Sequence, residues 1–230
     1  MKSKWVVSLL FAVSLIVASF CISVVLPTFS VPYYIKEFDK YQLSEKIRVT
    51  EPDLRAVVKN LQRYMAGLDK DLDVVVKVAG YERKFFNERE ISHMEDVRGL
   101  FLRGFAVLGA SVAVLAVSIF YIVRKKIYYE AAKSVVVCSI AFFGAFGLLA
   151  AIIAVNFDVA FVIFHELFFD NDLWLLNPKT DLLINMLQQE FFINISKTIA
   201  SYFLGSTAAA LTVCAVFCSV IKRRAKKTKR

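Results

Sequence analysis

The stretch Gly104–Val123, GFAVLGASVAVLAVSIFYIV, contains no charged residue and decides the fold class. A helix of about 20 residues rises about 30 Å, which is the thickness of the hydrocarbon core of a bilayer. Three more charge-free stretches follow the same pattern: Trp5–Leu26, Ser134–Phe157 and Thr198–Ile221. Within lipid the backbone must satisfy its own hydrogen bonds, and the sequence lacks the alternating segments of a barrel. We therefore predict a mainly α membrane protein with four transmembrane helices and a small mixed extracellular cap.

The composition supports a membrane protein. Apolar residues make up 58% of the 230 residues, above the roughly 45–50% of a soluble domain. Charged residues still make up 21%, so they must be segregated from the apolar stretches. All four cysteines lie inside those stretches, which leaves the connecting segments without a disulfide or a thiol nucleophile.

The distribution of basic residues predicts the orientation. Lysines and arginines precede the first span, join the second to the third and follow the fourth, as expected of cytoplasmic segments. The net charge of +9 is explained by this topology, and no aromatic residues interleave with the basic ones, so nucleic-acid binding is not favoured. Both termini are predicted to be cytoplasmic. The predicted segments are 1–26 (N-terminal segment and span one), 27–98 (extracellular cap), 99–123 (span two), 124–133 (cytoplasmic loop), 134–157 (span three), 158–197 (extracellular interfacial segment), 198–221 (span four) and 222–230 (basic cytoplasmic tail).

The cap, residues 27–98, is long enough to contain structure of its own. Apolar residues recur at helical spacing from about Glu51 to Ala66, and this amphipathic helix is expected to end at Gly67. The β-branched run 74–78, the turn-prone Gly80 and the run 83–86 predict a hairpin. A helix from Glu88 should then lead into span two.

The segment 158–197 is rich in aromatic residues, although it also contains acidic residues. It is too polar to span the membrane and too apolar for a solvated loop. We therefore expect it to lie at the outer membrane interface, where phenylalanine and tryptophan often serve only as anchors.

The chain has two histidines, His93 and His165, and both fall near predicted membrane boundaries on the outer face. Histidine exchanges protons near neutral pH, and acidic neighbours can orient its ring. Each could equally be an ordinary interfacial residue. His165-Glu166 begins like a zincin motif, but position 169 is phenylalanine where that motif requires histidine. The two histidines with Glu90 or Asp170 could still form a zinc site if the segments met.

Two motifs resemble the bacterial lipoprotein intramolecular transacylases, as does the four-span layout over essentially the whole chain. The first motif is Arg89-Glu-Ile-Ser-His-Met-Glu-Asp-Val97. The second is Phe164-His-Glu-Leu-Phe-Phe-Asp-Asn-Asp-Leu-Trp174, which continues as Asn177-Pro-Lys-Thr-Asp181.

The resemblance implies an acyltransferase of the bacterial cell membrane whose site faces outward. Its substrate would be a lipoprotein with a diacylglyceryl group on its N-terminal cysteine. The sn-2 acyl chain would move to the α-amine of that cysteine, which gives the lyso-form lipoprotein. No cofactor and no metal is expected, the partners would be lipoproteins and membrane lipids, and the oligomeric state is left open.

His93 and His165 would then be the catalytic base and acid, in an order that the sequence leaves open. Glu90 and Asp96 are expected to orient His93. The residues expected to bind substrate or shape its pocket are Glu90, Asp96, Phe164, Phe168, Phe169, Asn171, Trp174 and Asp181, although Asp181 could instead be a helix cap.

Two other functions stay open at this point. A non-enzymatic membrane scaffold would use its cap to bind a partner and its aromatic residues as anchors. A zinc-dependent lipid hydrolase would use the histidines as metal ligands.

Overall fold

The computed structural model describes residues 2–227 and the side chains of all of these except 2, 146, 148–155 and 221–227. In chain order the elements are α1 (Lys2–Thr28), α2 (Val31–Lys40), α3 (Leu43–Ile47), α4 (Glu51–Met65), β1 (Val75–Val78), β2 (Tyr81–Lys84), α5 (Glu88–Lys125), α6 (Tyr128–Val155), α7 (Phe157–Phe168), α8 (Leu182–Met186) and α9 (Gln189–Lys227).

Three described helices are long and apolar enough to cross a membrane: Ser3–Thr28, Glu88–Lys125 and Gln189–Val220. They contain the predicted spans one and two, and span four as far as Val220. The predicted span three falls largely in α6, where many side chains lie outside the described residues, so the count of four spans stays a prediction. The end of the predicted basic tail, 228–230, also lies outside the described residues.

The charged segments between spans are more helical than predicted. Helix occupies most of the predicted cytoplasmic loop 124–133, because α5 continues to Lys125 and α6 begins at Tyr128, and the position of this segment outside the membrane stays a prediction. The helix α6 ends at Val155, two residues before the predicted end of span three. The side chain of Asn156 accepts a 3.2 Å hydrogen bond from the backbone N–H of Val159 as the N-cap of α7. The first difference arises because a helix can continue beyond the hydrocarbon core, and the second because Asn156 caps the start of a new helix.

The chain folds as two units. One unit comprises Met1–Val24, Ala106–Val155 and Ile199–Arg230. Its described side chains pack through phenylalanine rings on three helices: Phe203 of α9 lies 5.8 Å from Phe20 of α1 and 5.3 Å from Phe142 of α6, between ring centroids. Pairs at such spacings contribute about 0.5–1.5 kcal/mol each beyond the area that they bury.

The other unit comprises Val25–Phe105 and Asn156–Thr198 and contains both histidines. The predicted amphipathic helix is α4, which buries its apolar face at Leu54, Val57, Val58 and Leu61. It ends before Gly67, whose φ of +74° suits a residue without a Cβ.

The predicted hairpin is also present, but its second strand begins two residues earlier than expected. Ala79 and Gly80 have φ angles of +52° and +89°. Two consecutive residues with positive φ form a tight turn, so strand pairing resumes at once with Val78 opposite Tyr81. Phe85 and Phe86, which the sequence assigned to the strand, are buried beyond it.

Candidate active site

The first turn of α5 is fixed by a reciprocal cap. The backbone N–H of Glu90 donates to the side-chain oxygen of Asn87 at 3.0 Å, and the backbone N–H of Asn87 donates to the Glu90 carboxylate at 2.7 Å. This is the capping-box arrangement, with asparagine as the N-cap and glutamate three residues later. It sets the start of the helix one turn before His93.

Glu90 also binds the second segment of this unit. Its other carboxylate oxygen accepts a 2.5 Å hydrogen bond from the backbone N–H of Leu183, in the first turn of α8. The side chain is fully buried, and burial raises the pKa of its carboxyl, although the hydrogen bonds from Asn87 and Leu183 oppose this. Both oxygens hold backbone amides, which gives Glu90 a structural role, and its expected roles in orienting His93 and binding substrate stay predictions.

Asp181 has a related structural role. Its carboxylate accepts hydrogen bonds from the backbone N–H of Asn177 at 2.7 Å, the hydroxyl of Thr180 at 2.6 Å and the side-chain amide of Asn87 at 2.9 Å. It stands at the N-cap position of α8, but its side chain makes no capping hydrogen bond there. Asp181 is buried, and these bonds hold the segment before α8 on the start of α5; its expected contact with substrate stays a prediction.

The two histidines meet. The ring centroids of His93 on α5 and His165 on α7 lie 5.9 Å apart, although the residues are distant in sequence. Both side chains are buried. The sequence placed each at the outer face, and the fold of this unit brings them together.

Aromatic rings surround His165. Phe161 lies 4.1 Å from it, and Trp174 stacks on it at 4.7 Å with 28° between the ring planes. Phe164 and Phe169 complete the set at 5.4 and 5.6 Å. Phe169 also contacts His93, at 5.5 Å, so it is shared between the two imidazoles. These distances join ring centroids.

Phe161 is a site residue that the sequence analysis missed. Its backbone carbonyl lies 2.7 Å from Nδ1 of His165. A carbonyl only accepts, so Nδ1 carries the proton, and the lone pair of neutral His165 must lie on Nε2. The four-residue spacing on one helix was the available signal, since residues four apart lie on the same face.

His93 is held differently. No hydrogen-bond partner of its buried Nδ1 atom is found among the described residues. His93 lies eleven residues before the charge-free stretch that begins at Gly104. Burial, and then the neighbouring His165, lower the pKa of His93 to about 4, and Asp96 only partly opposes this. Burial also lowers the pKa of His165, against the effect of the Phe161 carbonyl. Both rings are therefore neutral at physiological pH.

Asp96 does not hydrogen-bond to His93 either, contrary to the prediction. Its carboxylate accepts a 2.8 Å hydrogen bond from the side-chain amide of Asn171. Phe168, which was predicted to shape the pocket, contacts Phe164 at 4.9 Å and is half-exposed. A cavity of about 270 Å³ lies beside Asp96 and Phe168. The residues that line it are Glu95, Asp96, Gly99, Arg103, Phe168, Phe169, Asp170 and Asn171.

The zinc site considered from the sequence is not assembled. Among the described residues, no group of three or more histidine, cysteine, aspartate or glutamate side chains could hold a metal ion. What the geometry offers instead is a pair of neutral imidazoles, one with a fixed tautomer, inside a largely apolar box.

Comparison with known proteins identifies relatives of this arrangement. A family model described as lipoprotein intramolecular transacylase Lit matches residues 9–192. No curated protein sequence matches the chain.

Solved structures of one relative share the fold. The Lit transacylase from Bacillus cereus superposes with a TM-score of 0.77 at 21% identity, over 98% of this chain and 99% of the other. A variant of that protein with one histidine replaced by arginine gives 0.76 at 20% identity, over 98% and 95% of the two chains. A variant with a histidine replaced by alanine gives 0.76 at 20%, over 97% and 96%.

Proposed function

Because the chain belongs to the family of lipoprotein intramolecular transacylases, we propose that it moves the sn-2 acyl chain of a diacylglyceryl-modified lipoprotein to the α-amine of the N-terminal cysteine. Family membership makes it a membrane-integral enzyme of the acyltransferase type. The particular ester that is broken and the particular amide that is formed are the proposal. The product is the lyso-form lipoprotein, with a monoacylglyceryl group and an N-acyl chain.

The observation that carries the proposal is the adjacent pair of neutral imidazoles, His93 and His165. Acyl transfer to an amine requires a base for the amine proton, a donor for the tetrahedral oxyanion and a proton for the departing oxygen. Because Nδ1 of His165 is occupied by the Phe161 carbonyl, its Nε2 lone pair is available. We therefore assign His165 as the base.

His165 can complete the proton transfer alone. It takes the proton from the attacking amine at Nε2, the amine nitrogen bonds to the ester carbon, and the tetrahedral intermediate collapses. The same proton then passes from Nε2 to the departing glyceryl oxygen, so His165 ends as it began. Neutral His93 has one ring N–H, and this group is assigned to donate a hydrogen bond to the oxyanion.

The aromatic box suits an intramolecular reaction. Attack of the α-amine on the sn-2 ester closes a ring of about eight atoms, so the main requirement is to hold a flexible lipid folded. Phe161, Phe169 and Trp174 provide rigid walls around His165. Apolar walls also exclude water, which would otherwise hydrolyse the activated ester. By the distribution of basic residues the site faces the outside of the cell, where lipoproteins reside.

The test is mass spectrometry of the N-terminal lipopeptide of a reporter lipoprotein, from bacteria that lack N-acylation and express this protein. The expected result is unchanged total mass with one fatty acid moved from the glyceryl ester to the amine. Loss of one acyl mass would indicate a hydrolase, and an unchanged lipopeptide a scaffold; either result contradicts the proposal.

Variants then test the assigned roles. His165→Ala should abolish the transfer, and His93→Ala should lower its rate about 100- to 1000-fold because the oxyanion donor is lost, while each protein remains in the membrane at its normal level. Tyr81→Gln is the matched control, because it removes an exposed ring from the hairpin. Full transfer by both histidine variants would disprove the mechanism.

A further inference from the structure

The segment that joins α7 to α8, residues 169–181, is organised around Asn171. The side-chain amide of Asn171 donates a 2.8 Å hydrogen bond to the Asp96 carboxylate on α5. Its side-chain oxygen accepts from the backbone N–H of Leu173 at 3.0 Å. Its backbone carbonyl accepts from the indole N–H of Trp174 at 3.0 Å. One residue therefore fixes the turn of the segment, its attachment to α5 and the orientation of the tryptophan.

These hydrogen bonds link a neighbour of one histidine to a neighbour of the other. Asp96 follows His93 by three residues on α5, which places both on one face of that helix. Trp174, at the other end of the connection, stacks on His165 of α7. A change at Asn171 therefore reaches both imidazoles, although no contact of Asn171 with either ring is described.

We propose that Asn171 is a positioning residue, which bridges Asp96 to Trp174 and so keeps His165 in register with His93 for acyl transfer. The catalytic part of this inference rests on the proposed function. The positional part, that the bridge keeps Trp174 stacked on His165, stands on geometry alone.

The direction of the bridge makes the inference testable. Asn171 donates and Asp96 accepts, so Asn171→Asp would set two carboxylates against each other. Asp96→Asn keeps an acceptor oxygen for the Asn171 amide, so it is the reference for the double variant. The double variant exchanges donor and acceptor, since an amide at 96 can donate to a carboxylate at 171, and the bridge should form again.

A second attachment keeps the segment in place when the bridge fails. Arg89 on α5 donates to the backbone carbonyl of Asp172 and lies 3.4 Å from its carboxylate. Loss of the bridge should therefore loosen Trp174 without releasing the whole segment from α5.

The first measurement is the transfer rate of purified variants on a synthetic diacylglyceryl lipopeptide at about pH 8, where exposed carboxylates are ionised. Asn171→Asp should lower kcat about 10- to 100-fold and change KM by no more than about twofold, because misplaced catalytic groups slow chemistry more than binding. The double variant should recover most of the kcat that Asn171→Asp loses, and it should stay within about threefold of Asp96→Asn, its reference. Asp158→Asn, which removes an exposed carboxylate from the first turn of α7, is the control for loss of charge.

The second measurement is independent of activity. The chain has two tryptophans, so Trp5→Phe leaves Trp174 as the only indole. A protonated imidazole quenches a stacked indole, and Trp174 fluorescence should therefore fall as acid protonates His165. Of the rings described around His165, only that of His93 also titrates. The quenching that is lost in His165→Gln is therefore the part caused by protonation of His165. This quenching should disappear in Asn171→Asp and return in the double variant.

The inference is overturned if Asn171→Asp keeps both its kcat and its quenching, or if the double variant is as impaired as Asn171→Asp. If the parent protein transfers no acyl chain, the proposed function fails, and the fluorescence measurement still decides whether Asn171 positions Trp174.

Discussion

Phe169 is the position at which the burial of the histidine pair can be tested most directly. It is buried and contacts both imidazoles, at 5.5 Å from His93 and 5.6 Å from His165. Phe169→Ala should admit water beside both rings. Because burial is the main cause of their lowered pKa values, the pKa of each ring should rise towards its ordinary value near 6.5.

The size of the expected change in the transfer rate follows from the fraction of the histidine that is neutral at a given pH. An imidazole with the ordinary pKa of about 6.5 is neutral in about a quarter of molecules at pH 6, and the buried His165 ring of the parent protein, whose pKa is lowered, is neutral in a larger fraction. Only a neutral His165 can act as the base. The rate of Phe169→Ala relative to the parent protein should therefore be lower at pH 6 than at pH 8, by up to about fourfold.

The assay is the acyl-transfer rate of both proteins on the same lipopeptide from pH 5.5 to pH 8.5, with the ratio of the two rates taken at each pH. Taking the ratio cancels the titration of the substrate amine, whose own pKa is about 8. The lost packing should also lower stability by about 3–5 kcal/mol. Phe191→Ala is the matched control, because Phe191 is equally buried and packs on Tyr34 at 4.8 Å. A ratio independent of pH in Phe169→Ala, or the same slope in Phe191→Ala, would refute the reasoning.

Three further predictions concern two buried carboxylates, Glu90 and Asp181, and the zinc-dependent alternative. Glu90→Ala leaves the backbone N–H groups of Asn87 and Leu183 without their acceptor. It should lower the free energy of unfolding by about 2–5 kcal/mol, measured as a lower thermal midpoint in detergent, and an unchanged midpoint would contradict the assigned role. Asp181→Ala should increase proteolytic cleavage between α7 and α8, because three hydrogen bonds to its carboxylate are lost; unchanged protease resistance would count against this. Dialysis against a metal chelator should leave the transfer rate unchanged, and loss of activity that zinc restores would revive the zinc hydrolase.

Several parts of the fold follow from local sequence. The charge-free stretches predict helices because lipid offers the backbone no other hydrogen-bond partner. The periodicity of 51–66 predicts α4, and Gly80 predicts the hairpin turn. The start of the second strand was misplaced, since it depends on single turn residues such as Ala79.

The candidate site was predictable in its residue types and not in its contacts. The two histidines and three of the aromatic residues near His165 (Phe164, Phe169 and Trp174) could be named from the sequence, whereas Phe161 was missed. The role of Glu90 could not, because its second partner, Leu183, is 93 residues away. A buried carboxylate that satisfies two backbone amides and one that orients a histidine look the same in a sequence.

The sequence by itself determined the membrane character, the helices and the candidate acid–base groups, because these depend on hydrophobic length, spacing and residue chemistry along one segment. The tertiary structure alone decided that His93 and His165 meet, that the Phe161 carbonyl fixes the tautomer of His165, and that Asn171 links Asp96 to Trp174. These are distances between groups on different segments or the direction of a side chain, and both are set by how the helices of the unit pack together.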